Sequence, residues 1–181
     1  LGDTVTYVTG ISNLGDVYRE AGYYENATSH LENAKTLYQH YKLHDHHLLA
    51  TIENNLGLCY KGLSDPQKAE QAYANAQAIY EAHGETFTES YCTTLSNKGN
   101  LYSDLGRYGE ASELLWSAIE IRQQNFGGNS ENYATALANL ANVFFASGYY
   151  QKALEKAKRS IEKITKLEGL SKHLESIKAR F

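Results

Sequence analysis

The sequence of 181 residues is poor in the residues that interrupt helices or cross-link chains, with one proline and two cysteines. Since a proline inside a helix removes a hydrogen bond and clashes with the preceding turn, a chain with a single proline can form long, uninterrupted helices. There is no run of about 18 apolar residues, so no membrane-spanning helix is expected. A signal-peptide pattern is also absent, and the sequence begins at Leu1 rather than at methionine, as expected of a processed or shortened product.

The two cysteines, Cys59 and Cys92, both fall in segments predicted to be helical. Free cysteine is among the most frequently buried residue types, so we expect both to be small, buried apolar side chains. A structural disulfide or a reactive thiol is the alternative. With so few cysteines, a reduced, cytoplasmic setting is the simplest interpretation.

Basic side chains are scarce in most of the chain. Residues 1–150 carry 8 basic and 17 acidic side chains, whereas residues 151–181 carry 9 basic and 4 acidic, within a net charge of -4. Proteins that bind nucleic acid present basic faces, so the acidic body argues against nucleic acid as a partner. The basic end is expected to be the solvated face of a last helix.

What the chain does contain is a repeat of 42 residues. Within residues 95–118, apolar side chains recur at helical spacing up to Gly106, and a second apolar stripe starts at Tyr108. A left-handed glycine can end a helix, and small residues let two helix axes approach closely, so Gly99 and Ala111 predict a tight helix–turn–helix pair. Shifted by 42 residues, the chain superimposes on itself over four units, as in the column Ala27, Ala69, Ala111 and Ala153. Such a period predicts a stack in which each unit buries its apolar face on its neighbours.

Apolar spacing, glycines and capping residues divide the chain into helices. Asp65, Thr88 and Ser130 are predicted N-caps, and Pro66 suits the first position of a helix. The predicted helices cover approximately residues 4–21, 24–42, 47–62, 66–83, 88–105, 108–126, 130–148, 150–167 and 170–180. Leu170–Phe181 is expected to open a fifth unit or to form a capping helix, in a native chain that continues past Phe181.

The order Leu, Gly, Tyr, Gly-x-Tyr, Ala, Ala resembles the tetratricopeptide repeat. The 42-residue form resembles the kinesin light chain group, most closely in Asn54–Tyr60 and Ser130–Ala141. The resemblance implies an all-α fold, a right-handed α-α superhelix of four helix–turn–helix repeats plus a C-terminal helix, in one domain over residues 1–181. The expected repeats are approximately 4–45, 46–87, 88–129 and 130–168, followed by a terminal helix at 170–180.

Several positions depart from that repeat pattern, among them Ala141, which replaces the helix glycine, and Ala157 and Ser160 in the last unit. Glu53 stands where an apolar residue is expected, Lys98 replaces a leucine, and Ser64 replaces the glycine of the turn.

In tetratricopeptide arrays the first helix of each unit lines the concave surface, and polar columns occupy that face here. One column is asparagine in all four units, a second is threonine one helical turn earlier, and further polar residues extend the face in three units. The predicted peptide-binding residues are Asn13, Asn55, Asn97, Asn139, Thr9, Thr51, Thr93, Thr135, Asp16, Asn100 and Asn142.

Unpaired amides are costly to bury, so these columns are poor core positions. An asparagine offers both a donor and an acceptor, which can pair with the backbone of an extended peptide. The columns resemble the asparagine ladder of superhelical tetratricopeptide proteins. The alternative is that the asparagines bond between neighbouring helices and stabilise the stack.

Other binding chemistries find less support in the sequence. The carboxylate clamp of chaperone-binding relatives requires lysine and arginine on this face, where Ser12, Asn54, Ser96 and Ala138 stand instead. His44–His47 could bind zinc or nickel, but a polar linker that caps a helix is the simpler interpretation. There is no nucleophile elbow, phosphate loop or metalloprotease helix, so no catalytic residue, metal or cofactor is predicted.

The sequence therefore predicts a non-catalytic protein–protein interaction module that binds an extended peptide segment of a partner protein in its concave groove. Two alternatives remain: a structural scaffold that self-associates through exposed tyrosines, and a regulatory repeat domain of a larger multidomain enzyme. Neither nucleic acid nor membrane is expected as a partner.

Overall fold

The computed structural model describes residues 2–127 and 131–149, where the chain consists of helices with short connections. These helices are α1 (Gly2–Glu20), α2 (Tyr24–His40), α3 (His46–Gly62), α4 (Pro66–Ala82), α5 (Glu89–Asp104), α6 (Tyr108–Phe126) and α7 (Glu131–Ala146). The predicted boundaries of these seven helices are confirmed to within two residues. The predicted helices at 150–167 and 170–180 lie outside the described residues. None of the helices described is long and apolar enough to cross a lipid bilayer.

Side-chain caps begin two helices where the sequence predicts them. Oδ1 of Asp65 accepts a hydrogen bond from the N–H of Lys68 at 3.1 Å, and Oγ1 of Thr88 accepts one from the N–H of Tyr91 at 3.2 Å. Each bond satisfies one of the N–H groups that the first turn of a helix leaves without an intrahelical partner. The third predicted cap, Ser130, lies outside the described residues.

The turn within each helix pair uses a left-handed residue. Gly106 has a φ of 75°, which confirms the predicted helix end after α5. Ser64, which occupies the corresponding position one repeat earlier, has a φ of 59°. A residue with a Cβ pays a steric penalty in this region that glycine avoids, so the α3–α4 turn is strained relative to the α5–α6 turn.

The chain forms two compact units that divide after Asn97. The N-terminal unit, residues 1–97, contains α1 to α4 and the first half of α5; α1 packs on α2, α2 on α3, and α3 on α4. Fully buried side chains form its core: Val8, Leu31, Ala34, Ile52, Leu56, Tyr73 and Tyr80.

Both cysteines lie buried in the N-terminal unit as free thiols, as predicted. Burial raises the pKa of the Cys59 thiol to about 11. Since the thiolate is the reactive form, this cysteine is protonated and inert at neutral pH.

The C-terminal unit begins at Lys98, and its described part comprises the end of α5, α6 and α7. Helix α6 packs on α7 around the buried side chains Tyr102, Leu115, Ile119, Tyr133, Leu140 and Val143. Lys98, which replaces a leucine of the repeat, places its Nζ 5.9 Å from the centroid of the Tyr102 ring. A cation at this distance from an aromatic face is attracted to it, so the lysine retains a packing role.

Small residues let the two helices of a pair touch. A Cβ added at Gly57 on α3 would lie 2.5 Å from Cε1 of Tyr73 on α4. A Cβ at Gly99 on α5 would lie 2.9 Å from Cγ of Leu115 and 3.3 Å from the carbonyl oxygen of Ala111 on α6. The predicted close approach of Gly99 and Ala111 is therefore confirmed. The face of the first helix that carries this glycine packs on the second helix of the pair, so a different face remains available for function.

Candidate functional site

The asparagine and threonine columns reach the surface of the N-terminal unit. Asn13 is exposed on α1, whereas Asn55 on α3 and Asn97 on α5 are half-buried. Thr51 and Thr93, one helical turn before the latter two asparagines, are exposed. A ligand lying across α3 and α5 can therefore contact both columns.

A chain of side-chain amides connects α5 to α3. Nδ2 of Asn97 donates to Oδ1 of Asn54 at 3.1 Å, and Nδ2 of Asn54 approaches Oδ1 of Asn55 at 3.4 Å. The first bond has ordinary length and the second is long, hence weak. A primary amide has two N–H donors and an oxygen that accepts two bonds, so one bond within the chain leaves capacity at Asn55 and Asn97 for a ligand. The bond from Asn97 also shows the inter-helix role that the sequence left open as an alternative.

On α1, the predicted peptide-binding residue Asp16 forms an ion pair within its own helix. The Arg19 guanidinium donates to Oδ1 of Asp16 at 2.9 and 2.7 Å and to Oε1 of Glu20 at 2.6 Å. The Asp16 carboxylate is thereby paired with a cation of its own helix. Thr9, seven residues earlier on the same helix, is half-buried.

The C-terminal unit carries the remaining predicted residues. Asn100 is half-buried at the end of α5, and α7 carries exposed Thr135, half-buried Asn139 and exposed Asn142. Thr135 and Asn139 are four residues apart and so share one helical face. The arrangement of a threonine one turn before an asparagine thus recurs on α7.

A cavity of about 180 Å³ opens beside the amide chain of the N-terminal unit. Two predicted residues, Thr51 and Thr93, line it together with Asn54 of α3, Tyr80 of α4 and Glu89 of α5. The cavity thus lies where the first helices of successive repeats meet the second helix between them.

Ser90 and Thr94 complete the lining, and sequence reasoning had assigned neither of them to a site. One signal was available: Glu89, Thr93 and Asn97 are spaced by four residues, which places the glutamate on the same helical face as the two columns. Tyr80 had no such signal, because it reaches the cavity from α4, a helix that carries no predicted site residue.

Glu53 is buried, although the repeat pattern predicts an apolar residue there. Its Oε1 lies 2.9 Å from Nζ of Lys35 on α2, and its Oε2 accepts a hydrogen bond from Nδ2 of Asn75 on α4 at 3.3 Å. A buried carboxylate needs such partners to offset the loss of hydration, and α2 and α4 each supply one.

The histidine-rich linker packs against the loop after α4. Nε2 of His46 lies 2.8 Å from Oε1 of Glu85, and the His46 ring stacks on His83 with 4.0 Å between centroids. The hydrogen bond with His46 lowers the pKa of the Glu85 carboxyl. Asp45 caps α3 through the N–H of Leu48 at 3.0 Å, the capping role expected of a polar linker.

No group of three or more histidine, cysteine, aspartate or glutamate side chains within 2–127 and 131–149 is arranged to hold a metal ion. The linker therefore offers no metal centre among the residues that the structure describes.

Comparison with known proteins gives a family match over most of the chain. The family model described as tetratricopeptide repeat matches residues 7–82 and 90–165. A search of the curated proteins finds no match.

Solved structures share the fold. BtubC (BKLC) from P. vanneervenii is 25% identical with a TM-score of 0.78, covering 86% of this chain and 62% of its own. A Podosopora anserina protein assigned as a kinesin light chain, with nearly identical TPR-like repeats, is 19% identical with a TM-score of 0.76, covering 86% of this chain and 74% of its own.

A Rap protein complexed with Competence and Sporulation Factor is 18% identical with a TM-score of 0.78, covering 88% of this chain and 43% of its own. The chain thus spans less than two thirds of the length of both BtubC and this Rap protein.

Proposed function

The chain belongs to the tetratricopeptide repeat family, a type of protein–protein interaction module, and from this premise we propose that its N-terminal unit binds an extended segment of a partner protein. The observation that carries the proposal is the amide chain of Asn97, Asn54 and Asn55 beside the exposed Thr51 and Thr93. These side chains are polar, accessible and drawn from two successive first helices.

An extended peptide has N–H and C=O groups that point outward along its length and lose water when it binds. Amides pair with both groups, and the hydroxyl of Thr51, which already donates to the carbonyl of His47, accepts from the N–H groups. Because the contacts go to backbone atoms, they provide affinity for many sequences, while side-chain pockets must provide selectivity. The Asn97–Asn54 bond holds the Asn97 amide in place before a ligand arrives, which lowers the entropy that binding costs.

A Rap protein of the same fold was solved in complex with Competence and Sporulation Factor. A structure of this type therefore accommodates a bound factor, which supports the proposal without identifying the partner of this chain.

The test is selection of peptides from a phage-displayed random 12-residue library on the purified chain, followed by affinity measurement with single fluorescent peptides. We expect Asn55→Ala to weaken binding by about three- to ten-fold, since a lost hydrogen bond is worth about 0.5–1.5 kcal/mol and more when a buried group is left unpaired. The thermal midpoint should hardly change. Asn33→Ala, at an exposed asparagine on α2, is the matched control and should alter neither quantity.

Asn97→Ala separates binding from the structural alternative. Its amide also bonds to Asn54 of α3, so its removal should lower both peptide affinity and thermal stability. If Asn55→Ala and Asn97→Ala lower the melting temperature but leave peptide affinity intact, the asparagines serve the stack and the scaffold function stands instead. Failure to select any peptide would also contradict the proposal.

A further inference from the structure

The cavity beside the amide chain has a lining that combines polar and apolar surface. Its walls are hydroxyls, an amide, a tyrosine and a single carboxylate, that of Glu89. No lysine or arginine contributes to the lining among the described residues. Its volume of about 180 Å³ exceeds that of the apolar cavity of roughly 150 Å³ that holds benzene, so one long side chain fits.

Two hydroxyl protons of this lining are already committed to the backbone. Oγ1 of Thr51 donates to the carbonyl of His47 at 2.9 Å, and Oγ1 of Thr94 donates to the carbonyl of Ser90 at 3.0 Å. A hydroxyl that donates its one proton inward presents only lone pairs to the cavity. These two hydroxyls therefore offer only acceptors to the cavity, and the Glu89 carboxylate adds a negative charge to the lining.

Tyr80 of α4 lines the cavity between Thr51 of α3 and Ser90 of α5, and its ring contacts His47 of α3 and Tyr91 of α5 edge-on. Tyr80 is fully buried and comes from α4, so it ties the walls of α3 and α5 together. The pocket is thereby built by three helices.

The charge of the whole unit agrees with the lining. Residues 1–97 carry 12 acidic and 5 basic side chains, hence a formal charge of -7. Three of these cations, Arg19, Lys35 and Lys68, are held in ion pairs with carboxylates of the same unit. A cationic segment is therefore attracted to this unit, and an anionic one is repelled.

We propose that the cavity is a specificity pocket for a basic side chain, arginine above all, of the extended segment bound along α3 and α5. This inference rests on the proposed peptide-binding function and adds the chemistry of the partner. Arginine presents five N–H donors and a permanent charge to a set of acceptors, so it satisfies more of the lining than lysine does. The backbone of the segment pairs with the asparagines, and the side chain that enters the pocket fixes its register.

The experiment compares peptide selections on four purified chains. The wild-type chain should enrich peptides with arginine or lysine at one fixed position, and Glu89→Lys should abolish that preference. Glu25→Lys is the control, because Glu25 also lies in the first turn of its helix and changes the net charge by the same amount, but it lies on α2 outside the pocket. It should retain the preference of the wild-type chain.

Glu89→Gln keeps the shape of the side chain and removes its charge. It tests the pocket even if Glu89→Lys does not fold. It should weaken the selected arginine peptide by about three- to ten-fold, between the worth of an exposed ion pair and that of a charge-assisted hydrogen bond. The same peptide with glutamine in place of arginine should lose affinity for the wild-type chain to a similar extent and bind Glu89→Gln no worse than wild type.

Two outcomes would overturn the inference, and they differ from failure of the proposed function. Peptides enriched without any basic preference, yet weakened by Asn55→Ala, leave the peptide site standing and refute the basic pocket. A basic preference that survives Glu89→Lys places the preference elsewhere on the acidic surface and refutes the pocket as well. Selection of no peptide by any of the four chains would refute the binding function itself.

Discussion

Glu53 is a buried carboxylate of α3 that is held by Lys35 of α2 and Asn75 of α4. The repeat pattern predicts an apolar side chain at this position, and its burial confirms that it is a core position. What the pattern cannot show is that Lys35 and Asn75, 18 and 22 residues away, come from two other helices to meet the carboxylate. Pairing between elements is decided by tertiary packing, whereas periodicity reports only the face of one helix.

A double-mutant cycle on this pair measures its contribution. Lys35→Met leaves the Glu53 carboxylate buried with a hydrogen bond from Asn75 alone, so we expect a loss of about 1–3 kcal/mol in the free energy of unfolding. The value is below the 3–5 kcal/mol of a fully buried pair, because Lys35 remains partly in water. Glu53→Leu together with Lys35→Met should come close to wild-type stability, because an apolar pair often replaces a buried ion pair without loss. Urea denaturation of the four chains gives the coupling, and additive single losses would show that the pair does not interact.

At the scale of the element, the sequence predicted most of what the structure shows. Helix bounds, the caps at Asp65 and Thr88, and the left-handed Gly106 all follow from local rules, because each depends on residues within about one turn of chain. The close contact between paired helices was also predictable, since it leaves a repeated small residue in the sequence. The side chain that each glycine contacts was not predictable, because Gly57 contacts Tyr73 whereas Gly99 contacts Leu115.

Two identical substitutions test the close contact at Gly57. Gly57→Leu forces a side chain into the Tyr73 ring and should cost about 1–3 kcal/mol or more. Gly10→Leu on α1 is the matched control, because a Cβ there meets nothing within 4 Å. Leucine is the better helix former by somewhat under 1 kcal/mol, so the control should be slightly stabilised. Melting curves read by circular dichroism should therefore move in opposite directions, and an unchanged midpoint for Gly57→Leu would show that α3 and α4 do not touch at that level.

At the scale of the whole molecule, the period of 42 residues predicted the family and the polar columns. The members of these columns share one register, and those that the structure describes are exposed or half-buried. The cavity that joins Thr51, Thr93, Tyr80 and Glu89 could not be predicted in the same way. It is formed where three helices meet. The spacing of residues along one helix does not show how close the neighbouring helices lie, so it cannot predict a cavity between them.

The position of a residue within the repeat does not predict its burial where the neighbouring helices differ. Leu14, Leu56 and Leu140 occupy the same repeat position, yet Leu14 is 44% exposed and the other two are 1% exposed. In α3 this face packs on α2, and in α7 it packs on α6. In α1 the same face, with Tyr7 and Val17, is exposed. In a stacked array each repeat is stabilised by its neighbours. Leucines at the same repeat position should therefore contribute differently to the free energy of unfolding.

The same substitution at these three leucines tests that stacking. Leu56→Ala and Leu140→Ala remove a fully packed side chain and leave a cavity, which should cost about 2–5 kcal/mol each. Leu14→Ala removes a half-solvated side chain and should cost about 0.5 kcal/mol or less, as is usual for surface substitutions. Urea midpoints at a constant slope measure the three values, and the slope itself reports whether the unfolding transition stays cooperative. Equal costs at all three positions would mean that the exposed face of α1 is covered in solution, in which case raising the protein concentration should raise the stability of the wild-type chain but not that of Leu14→Ala. A large cost at Leu56 and Leu140 with a small one at Leu14 establishes that contact with the preceding helix, rather than position in the repeat, sets the contribution of each leucine.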